Sequence, residues 1–307
     1  MSISVVVIAK NAKNTIASVL KSVQFAEEVI LVDIKSTDDT LDLAKKYASR
    51  IYHYHEDTRF VEPVRNFALA KATKEWVLVL DADEEIPLTL VAKLQELSRD
   101  EDNYAFYLPR KNLVSGFWMQ HTGWWPDYQL RFFRKGLVTW SDTIHGRPII
   151  ADKKEAQVLE AKEEWAILHH NYADTKDYLA RFDRYTDIEA MQKSQQIGSD
   201  FIISSSTLLQ TFSDDFLRRF FQKQGYLDGA RGFYMSIMQA AYQMTVQMKI
   251  FDLLGNQANM EKDHQQRILS DLRHFQKDLN YWIDDLAVKK SKGIQKLFAL
   301  LRRKLRQ

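Results

Sequence analysis

The chain is expected to fold as an α/β protein: a sheet covered on both faces by helices, followed by a mostly helical region. Three observations carry this expectation. Four short runs in the first hundred residues are continuously apolar, helical patterns separate them, and after Tyr172 the pattern is helical almost to the end. Continuous apolar strands belong to sheets buried on both faces, and strands separated by helices run parallel through right-handed crossovers.

The elements follow in order. Ile3 to Ala9 is an unbroken apolar run, and Ile16, Val19, Leu20 and Val23 then recur at helical spacing. Val29 to Val32 is a second run ending in Asp33, after which Ser36 or Thr37 is placed to cap a helix containing Leu41, Leu43, Ala44 and Tyr47. Ile51 to Tyr54 reads as a third strand, Val64 to Ala72 as a helix, and Trp76 to Leu80 as a fourth strand running into Asp81-Ala82-Asp83. From Tyr104 to Ile150 the pattern changes to short, aromatic-rich strands and loops.

A length of 307 residues suggests one large domain or a domain with an appendage, placed at residues 1–210 and 211–307. The 45% hydrophobic and 27% charged composition excludes disordered, collagen-like and coiled-coil classes. There is no cysteine, which removes disulfide frameworks, thiolate zinc sites and cysteine nucleophiles, and fits a reducing compartment. The N-terminus has no basic region before its apolar run, so it reads as a buried strand and not as a secretion signal. The uncharged stretch between Arg231 and Lys249 carries five polar residues and is shorter than the roughly 20 apolar residues of a spanning helix.

Asp33 and Asp81 both stand where an apolar strand stops, the place where an α/β sheet presents ligand-binding groups. Asp83 follows two residues later, so an extended turn would aim it beside Asp81 at one hard divalent cation, with phosphates supplying further oxygens. The competing assignment is a helix start, with Asp83, Glu84 and Glu85 ahead of Pro87. Neither a G-x-G-x-x-G nor a G-x-x-x-x-G-K-[ST] pattern is present, so phosphates are left to metal and side chains.

Ser4 to Asn11, Ile30 to Asp33 with Ser36 to Thr40, Arg65-Asn66, and Leu80 to Glu84 together resemble the family 2 (GT-A fold) inverting glycosyltransferases. Gly123 to Phe133, Ile144-His145, His169 to Tyr172, and Gly225 to Gly229 with Gly232-Phe233 look like the bacterial branch that includes lipopolysaccharide core β-1,4-glucosyltransferases. The resemblance implies a Rossmann-like mixed sheet. It also implies that Ala9, Asn11 and Asp33 contact base and ribose, that Arg65 lies near the nucleotide or its diphosphate, and that Asp81 touches ribose or metal. Asp83 is implied as the direct metal ligand, and Asp127 stands where this branch places its general base. One departure is visible: relatives carry an acidic residue after Asn11, and here Ala12 and Lys13 follow.

In an inverting transfer one carboxylate deprotonates the acceptor hydroxyl while a metal neutralises the leaving diphosphate, so a single base suffices. Partial desolvation between aromatics is expected to tune the basicity of Asp127; the competing role is a turn cap after Pro126. Trp118, Trp124, Trp125 and Trp140 crowd the same stretch, suited to stacking on acceptor sugars or to filling a core. His145 is placed to reach the metal or a phosphate, and of the adjacent His169 and His170 at most one faces the site.

From Lys289 to Gln307 there are eight basic residues and no acid, with Ile294, Leu297, Phe298, Leu301 and Leu305 at helical spacing. Such a helix suits an anionic membrane surface, against the alternatives of a docked helix or a nucleic-acid arm; no nucleic-acid module is recognised. The expectation is a cytoplasmic glycosyltransferase, peripheral on the inner face of the membrane. It would use Mn2+ or Mg2+ and move a sugar, glucose by the resemblance, from a UDP-type donor to a glycolipid or surface polysaccharide. The alternatives are an inactive membrane-associated scaffold and a sugar nucleotidyltransferase.

Overall fold

The computed structural model describes residues 2–56, 62–141, 147–151, 155–197, 202–255, 259–260 and 264–293, with 295, 296, 298, 300 and 304 beyond them. The chain forms two compact units, residues 1–119 with 124–175, and residues 120–123 with 176–307. The boundary expected at residues 210 and 211 falls inside a helix, Ser205–Leu217.

The first unit opens with β1 (Ile3–Ala9), α1 (Ile16–Ser22), β2 (Glu28–Asp33), α2 (Thr40–Ala44), β3 (Arg50–His53), α3 (Glu62–Leu69) and β4 (Trp76–Asp81). It continues through β5 (Glu84–Glu85), α4 (Leu88–Leu97), β6 (Ala105–Leu108), β7 (Arg110–Val114), β8 (Phe117–Trp118) and β9 (Gln129–Arg134). The last strands are β10 (Val138–Trp140), β11 (Pro148–Ile150), β12 (Gln157–Val158) and β13 (Ile167–Tyr172).

Seven strands make the main sheet in the order β12-β6-β9-β4-β1-β2-β3. The four N-terminal strands are parallel, as the apolar runs and intervening helices require, and β9 enters antiparallel between β4 and β6. The result is a mixed sheet flanked by helices. Successive residues of each buried strand serve opposite faces. Val5, Val7, Leu78 and Leu80 pack with Ile16, Leu20, Leu90 and Leu94 of α1 and α4. Val6, Ile8, Val77 and Val79 pack with Val64 and Ala68 of α3. Trp76, fully buried, stacks on Phe132 of β9 with ring centroids 4.6 Å apart and ties the antiparallel strand to the parallel half.

Two local expectations shift. The cap expected at Ser36 or Thr37 moves to Asp39, ahead of α2, because Ser36 Oγ accepts from the Asn11 amide and Thr37 N donates to Asn11 Oδ1. The acids after Asp81 do not start a helix: Glu84–Glu85 form β5, and α4 begins at Leu88 after Pro87. β5 belongs to a second sheet, β5-β13-β7-β8, so β4 and β5 hand the chain from one sheet to the other at the Asp81-Ala82-Asp83 turn.

The second unit is built on α5 (Thr175–Ser194), β14 (Ile202–Ile203), α6 (Ser205–Leu217), α7 (Gly229–Leu254), β15 (Asn259–Met260) and α8 (His264–Lys290). Phe216, Leu217, Phe221 and Ala240 form a core with Phe275 and Trp282 of α8. The segment 120–123 is fastened here: Thr122 N donates to Lys223 O at 3.0 Å, and Asp228 accepts from His121 N at 2.9 Å. The uncharged stretch between Arg231 and Lys249 lies within α7, and no helix among the described residues is long and apolar enough to cross a membrane.

Gly232 of α7 lies against the backbone of Gly225, so close that a Cβ there would sit 1.9 Å from the Gly225 carbonyl oxygen. Backbone cannot yield as a flexible side chain can. Gly232→Ala is therefore expected to destabilise the helical unit by about 1–3 kcal/mol, the range for overpacking; chemical denaturation with a probe in this unit measures it, and unchanged stability would contradict the close approach.

Candidate active site

β4 stops at Asp81 because the chain turns there to reach β5, and the turn gathers three carboxylates in four residues. Asp81 N donates to Glu84 Oε2 at 3.0 Å, closing the turn. Both Asp81 oxygens are occupied: Oδ1 accepts from Arg65 Nη2 at 2.8 Å and Oδ2 from Arg131 Nη2 at 2.5 Å. Glu84, fully buried, accepts at Oε1 from Arg131 Nη2 at 2.7 Å and from Arg110 Nη1 at 2.9 Å. Arg110 then reaches Asp127, donating to Oδ2 from Nε at 2.9 Å and from Nη2 at 2.6 Å.

A second path joins the same ends. Asn112 Nδ2 donates to Asp127 Oδ2 at 2.9 Å and to the Trp124 carbonyl at 3.0 Å, while Asn112 Oδ1 meets His169 Nδ1 at 2.6 Å. His169 Nε2 lies 3.5 Å from Asp83 Oδ1. Gln129 Nε2 completes the setting of Asp127 by donating to Oδ1 at 2.8 Å.

The electrostatics follow from this pairing. Burial works to raise the Asp81 carboxyl, but the Arg131, Arg65 and Arg110 guanidiniums outweigh it and hold Asp81 far below the usual carboxylate range. Burial likewise works to raise Asp127, and Arg110 with the Asn112 and Gln129 amides brings it below its ordinary value. Desolvation, expected to tune the basicity of Asp127, is the largest single influence and acts upward, but the Arg110 charge and the hydrogen bonds from Asn112, Arg110 and Gln129 together turn the net shift downward. The alternative role as a turn cap after Pro126 also fails to describe a carboxylate whose hydrogen-bond partners are the side chains of Arg110, Asn112 and Gln129.

At the other strand end, Asp33 is buried and accepts from Ser36 N at 3.2 Å, with His53 Nδ1 3.6 Å away. Ala9 pairs with Asp33 across β1 and β2, and its carbonyl accepts from Ile34 N at 2.8 Å. Asn11, at φ 50°, fastens the loop after β1 to the loop after β2 through Ser36 and Thr37. At the departure, Ala12 N donates to Thr40 Oγ1 at 2.8 Å and Lys13 N to Asp38 Oδ2 at 3.2 Å, so residues 12 and 13 bind the same loop through their backbones.

Arg65 is buried with its guanidinium 5.4 Å from the Trp140 ring centre, and its Nη1 has no hydrogen-bond partner among the described residues. Trp140 is core, packed on Phe133, whereas Trp118, Trp124 and Trp125 are half-buried, with Trp118 and Trp125 edge to face at 5.1 Å. His145 lies outside the described residues. The adjacent histidines diverge as expected: His169 faces Asp83 and Asn112, and His170 Nε2 pairs with Glu85 at 2.9 Å.

Sequence reasoning missed Glu84, Arg110, Asn112, Gln129 and Arg131 as site residues. One signal was available: Arg131 interrupts the apolar run Leu130 to Phe133, and a charge inside a buried strand demands a partner. Among the described residues no three His, Asp or Glu side chains converge to hold a metal ion by themselves.

The mixed α/β unit carries an Asp-Ala-Asp turn at the end of its fourth strand. Residues 4–152 match Glycosyl transferase family 2, and this part of the chain is a glycosyltransferase domain of that family. It is 24% identical to an uncharacterized glycosyltransferase of Rickettsia conorii, over 78% of this chain and 86% of the relative. It is also 24% identical to the lipopolysaccharide core biosynthesis glycosyltransferase LpsC of Rhizobium meliloti, over 82% of this chain and 92% of that one. Among solved structures, 37% of this chain aligns with 44% of glucosyl-3-phosphoglycerate synthase from Mycobacterium tuberculosis, in complex with Mn2+, uridine diphosphate and glucosyl-3-phosphoglycerate, at 25% identity and a TM-score of 0.30. That score carries nothing over to this site.

Arg131 bridges two carboxylates inside the protein, so Arg131→Leu leaves both without their shared partner. We expect a loss of about 3–5 kcal/mol near neutral pH. Because the folded-state pKa of Asp81 is depressed, its ion-pair contribution is present above the unfolded carboxylate pKa and fades as pH falls through the depressed folded one. The penalty should therefore shrink as pH falls toward about 4, the ordinary aspartate range, because Asp81 without Arg131 is held down less. Denaturation midpoints of wild type and variant across pH measure this, and a pH-independent penalty would refute the electrostatic origin.

Proposed function

We propose that the chain is a metal-dependent inverting glycosyltransferase moving a hexose, glucose by the resemblance, from a UDP-type donor to a glycolipid or surface-polysaccharide acceptor. The observation that carries this reading is the division of labour at the end of β4. Asp81 is committed to Arg65 and Arg131, while Asp83 stands beside the Nε2 of His169, and Asp127 closes the same network.

The residues fit a divalent cation held jointly with phosphates. Asp83 offers a hard carboxylate and His169 Nε2 an imidazole next to it, and a site of so few protein ligands suits an ion that keeps water or substrate oxygens. When bound, Mn2+ or Mg2+ neutralises charge growing on the leaving diphosphate. His145 is retained as a further candidate ligand by the resemblance, as is Asp81 by its position.

Arg65 Nη1, buried and without a partner among the described residues, is suited to a diphosphate oxygen, where it is worth more than in water. Ala9, Asn11 and Asp33 bring the loops after β1 and β2 to the base and ribose. Asp127 accepts the acceptor's proton: Oδ2 takes three hydrogen bonds from Arg110 and Asn112, and Oδ1 takes one, from Gln129, so the proton goes to Oδ1. Its lowered pKa makes it a carboxylate that is ionised throughout the neutral range but a weak base. Positioning and charge then carry more of the rate than proton affinity does. The half-buried Trp118, Trp124 and Trp125 offer faces for acceptor sugars.

The last nineteen residues carry +8 and residues 1–288 carry −6. α8 ends at Lys290, and of the apolar positions beyond it Phe298 is described, 58% exposed. A basic, apolar C-terminal helix of this composition would hold the enzyme on the anionic inner face of the membrane.

Asp83→Ala is expected to abolish turnover and metal-dependent nucleotide binding, measured with UDP-, GDP- and dTDP-sugars with and without manganese; wild-type-like activity would sink the metal assignment. Asp127→Asn should bind donor as wild type does and lose transfer by at least about a hundredfold, the scale of a general base. Because the competent form of Asp127 is ionised and its pKa is depressed, kcat/KM should stay flat on the acid side until below about pH 4. An acid limb between about pH 6 and 7 would place the base elsewhere.

A further inference from the structure

Asp127 and Asp83 stand at opposite ends of a short polar path, and its middle member is a buried amide. Asn112, on β7, is 1% exposed and uses every part of its side chain. The Trp124 carbonyl and the Asp127 carboxylate are both acceptors, so the group facing them at 3.0 and 2.9 Å is the Asn112 NH2. The amide oxygen is then the atom that meets His169 Nδ1 at 2.6 Å, and an amide oxygen only accepts. His169 Nδ1 therefore carries the proton, and Nε2, turned toward Asp83 Oδ1 at 3.5 Å, is the nitrogen that keeps its lone pair when the ring is neutral.

We propose that Asn112 is a positioning residue that couples the two ends of the site: its amide, oriented by the Trp124 carbonyl and held from behind by His169, pins Asp127 Oδ2 and at the same time fixes which His169 nitrogen faces Asp83. The inference rests on the reading of Asp127 as the base, and it assigns a cause to the geometry that reading needs. Arg110 alone does not fix the carboxylate, because its two hydrogen bonds converge on the single oxygen Oδ2 and leave rotation about that oxygen open. Asn112 adds a third donor to Oδ2 from another direction, and Gln129 of β9 restrains Oδ1. The backbone supports the arrangement, since His169 and Asn112 are register partners in the parallel pairing of β13 with β7, and His169 pairs with Glu84 of β5 on its other side. One histidine thus sits between the strand carrying the donor-side carboxylates and the strand holding the base.

The groups facing Asp127 are Arg110 and Asn112 from β7 and Gln129 from β9, with Glu84 of β5 beyond Arg110 and His169 of β13 beyond Asn112. If His169 is replaced by a side chain that cannot donate, the buried Asn112 oxygen loses its partner, and the amide, still turned with its NH2 toward Trp124 and Asp127, is no longer held from behind and can tilt away from Asp127. Asp127 then loses a donor that favours its charged form, and its titration midpoint rises.

The test uses the full chain in magnesium-containing buffer. Long-range 1H–15N NMR of the imidazole rings, with His169 identified by its absence in His169→Asn, reads which nitrogen is protonated. Protonated Nδ1 is expected; a bare Nδ1 with the proton on Nε2 overturns the proposal. Carboxyl 13C titration, with Asp127 identified by its absence in Asp127→Asn, reads the second arm. His169→Leu should raise the Asp127 midpoint by on the order of one pH unit, the effect of a lost hydrogen bond to the charged form. His169→Asn, whose amide can replace the Nδ1 donor, should leave that midpoint near wild type. An unmoved midpoint in folded His169→Leu refutes the coupling, whereas full transfer activity in Asp127→Asn refutes the base itself; the two failures are separately visible.

Discussion

The structure of the site depends on one constraint: three carboxylates and three arginines are packed together, with Arg65, Glu84 and Arg131 buried, and must neutralise one another. They alternate as Arg65, Asp81, Arg131, Glu84, Arg110 and Asp127. A lone buried charge costs several kcal/mol, and a buried pair repays that cost only with good geometry and further hydrogen bonds. That requirement explains why Glu84, fully buried, shares one oxygen between two arginines, and why Arg110 meets Asp127 through two nitrogens. It also joins the sheets. Asp81 ends a strand of the main sheet, Glu84 and Arg110 belong to the second, and Arg131 comes from the antiparallel strand β9.

The same network gives the two carboxylates of the Asp-Ala-Asp turn different characters. Asp81, saturated by Arg65 and Arg131, is a permanent anion whose work is to orient arginines; Asp83 faces a histidine. The two carboxylates of the motif thus differ in their partners, and neither spacing nor residue type distinguishes them. The distinction comes from side chains far away in sequence, Arg65 on α3 and Arg131 on β9.

That is also the measure of what the sequence carried. β1 to β4 were legible because each is a continuous apolar run between helical patterns, a local property that a parallel, doubly covered sheet imposes on its strands. Asp33, Asp81 and Asp83 were legible for the same reason, standing where those runs stop. Arg110 and Asn112 were not: they lie on a short strand of the second sheet whose partners are residues 167–172, and no local pattern announces that pairing. The cap at Ser36 or Thr37 failed for a related cause. A hydroxyl ahead of a helix is a cap only if nothing else claims it, and Asn11 claims these two residues from the neighbouring loop.

The downward shift of Asp127 bears on how such a site achieves rate. A base chosen for proton affinity would be kept away from arginine; here the carboxylate is held by four hydrogen bonds, three of them on one oxygen. For the proposed base, what this arrangement secures is direction: an ionised, weakly basic carboxylate whose Oδ1, bonded only by Gln129 among the described residues, is the oxygen that would meet an incoming hydroxyl. Proton affinity matters less when the departing group is stabilised independently, because the proton need leave the acceptor only as the new bond forms. The buried ion chain and the polar path through Asn112 then serve one end, since both fix the orientation of Asp127 relative to the strand end at which the donor diphosphate would depart.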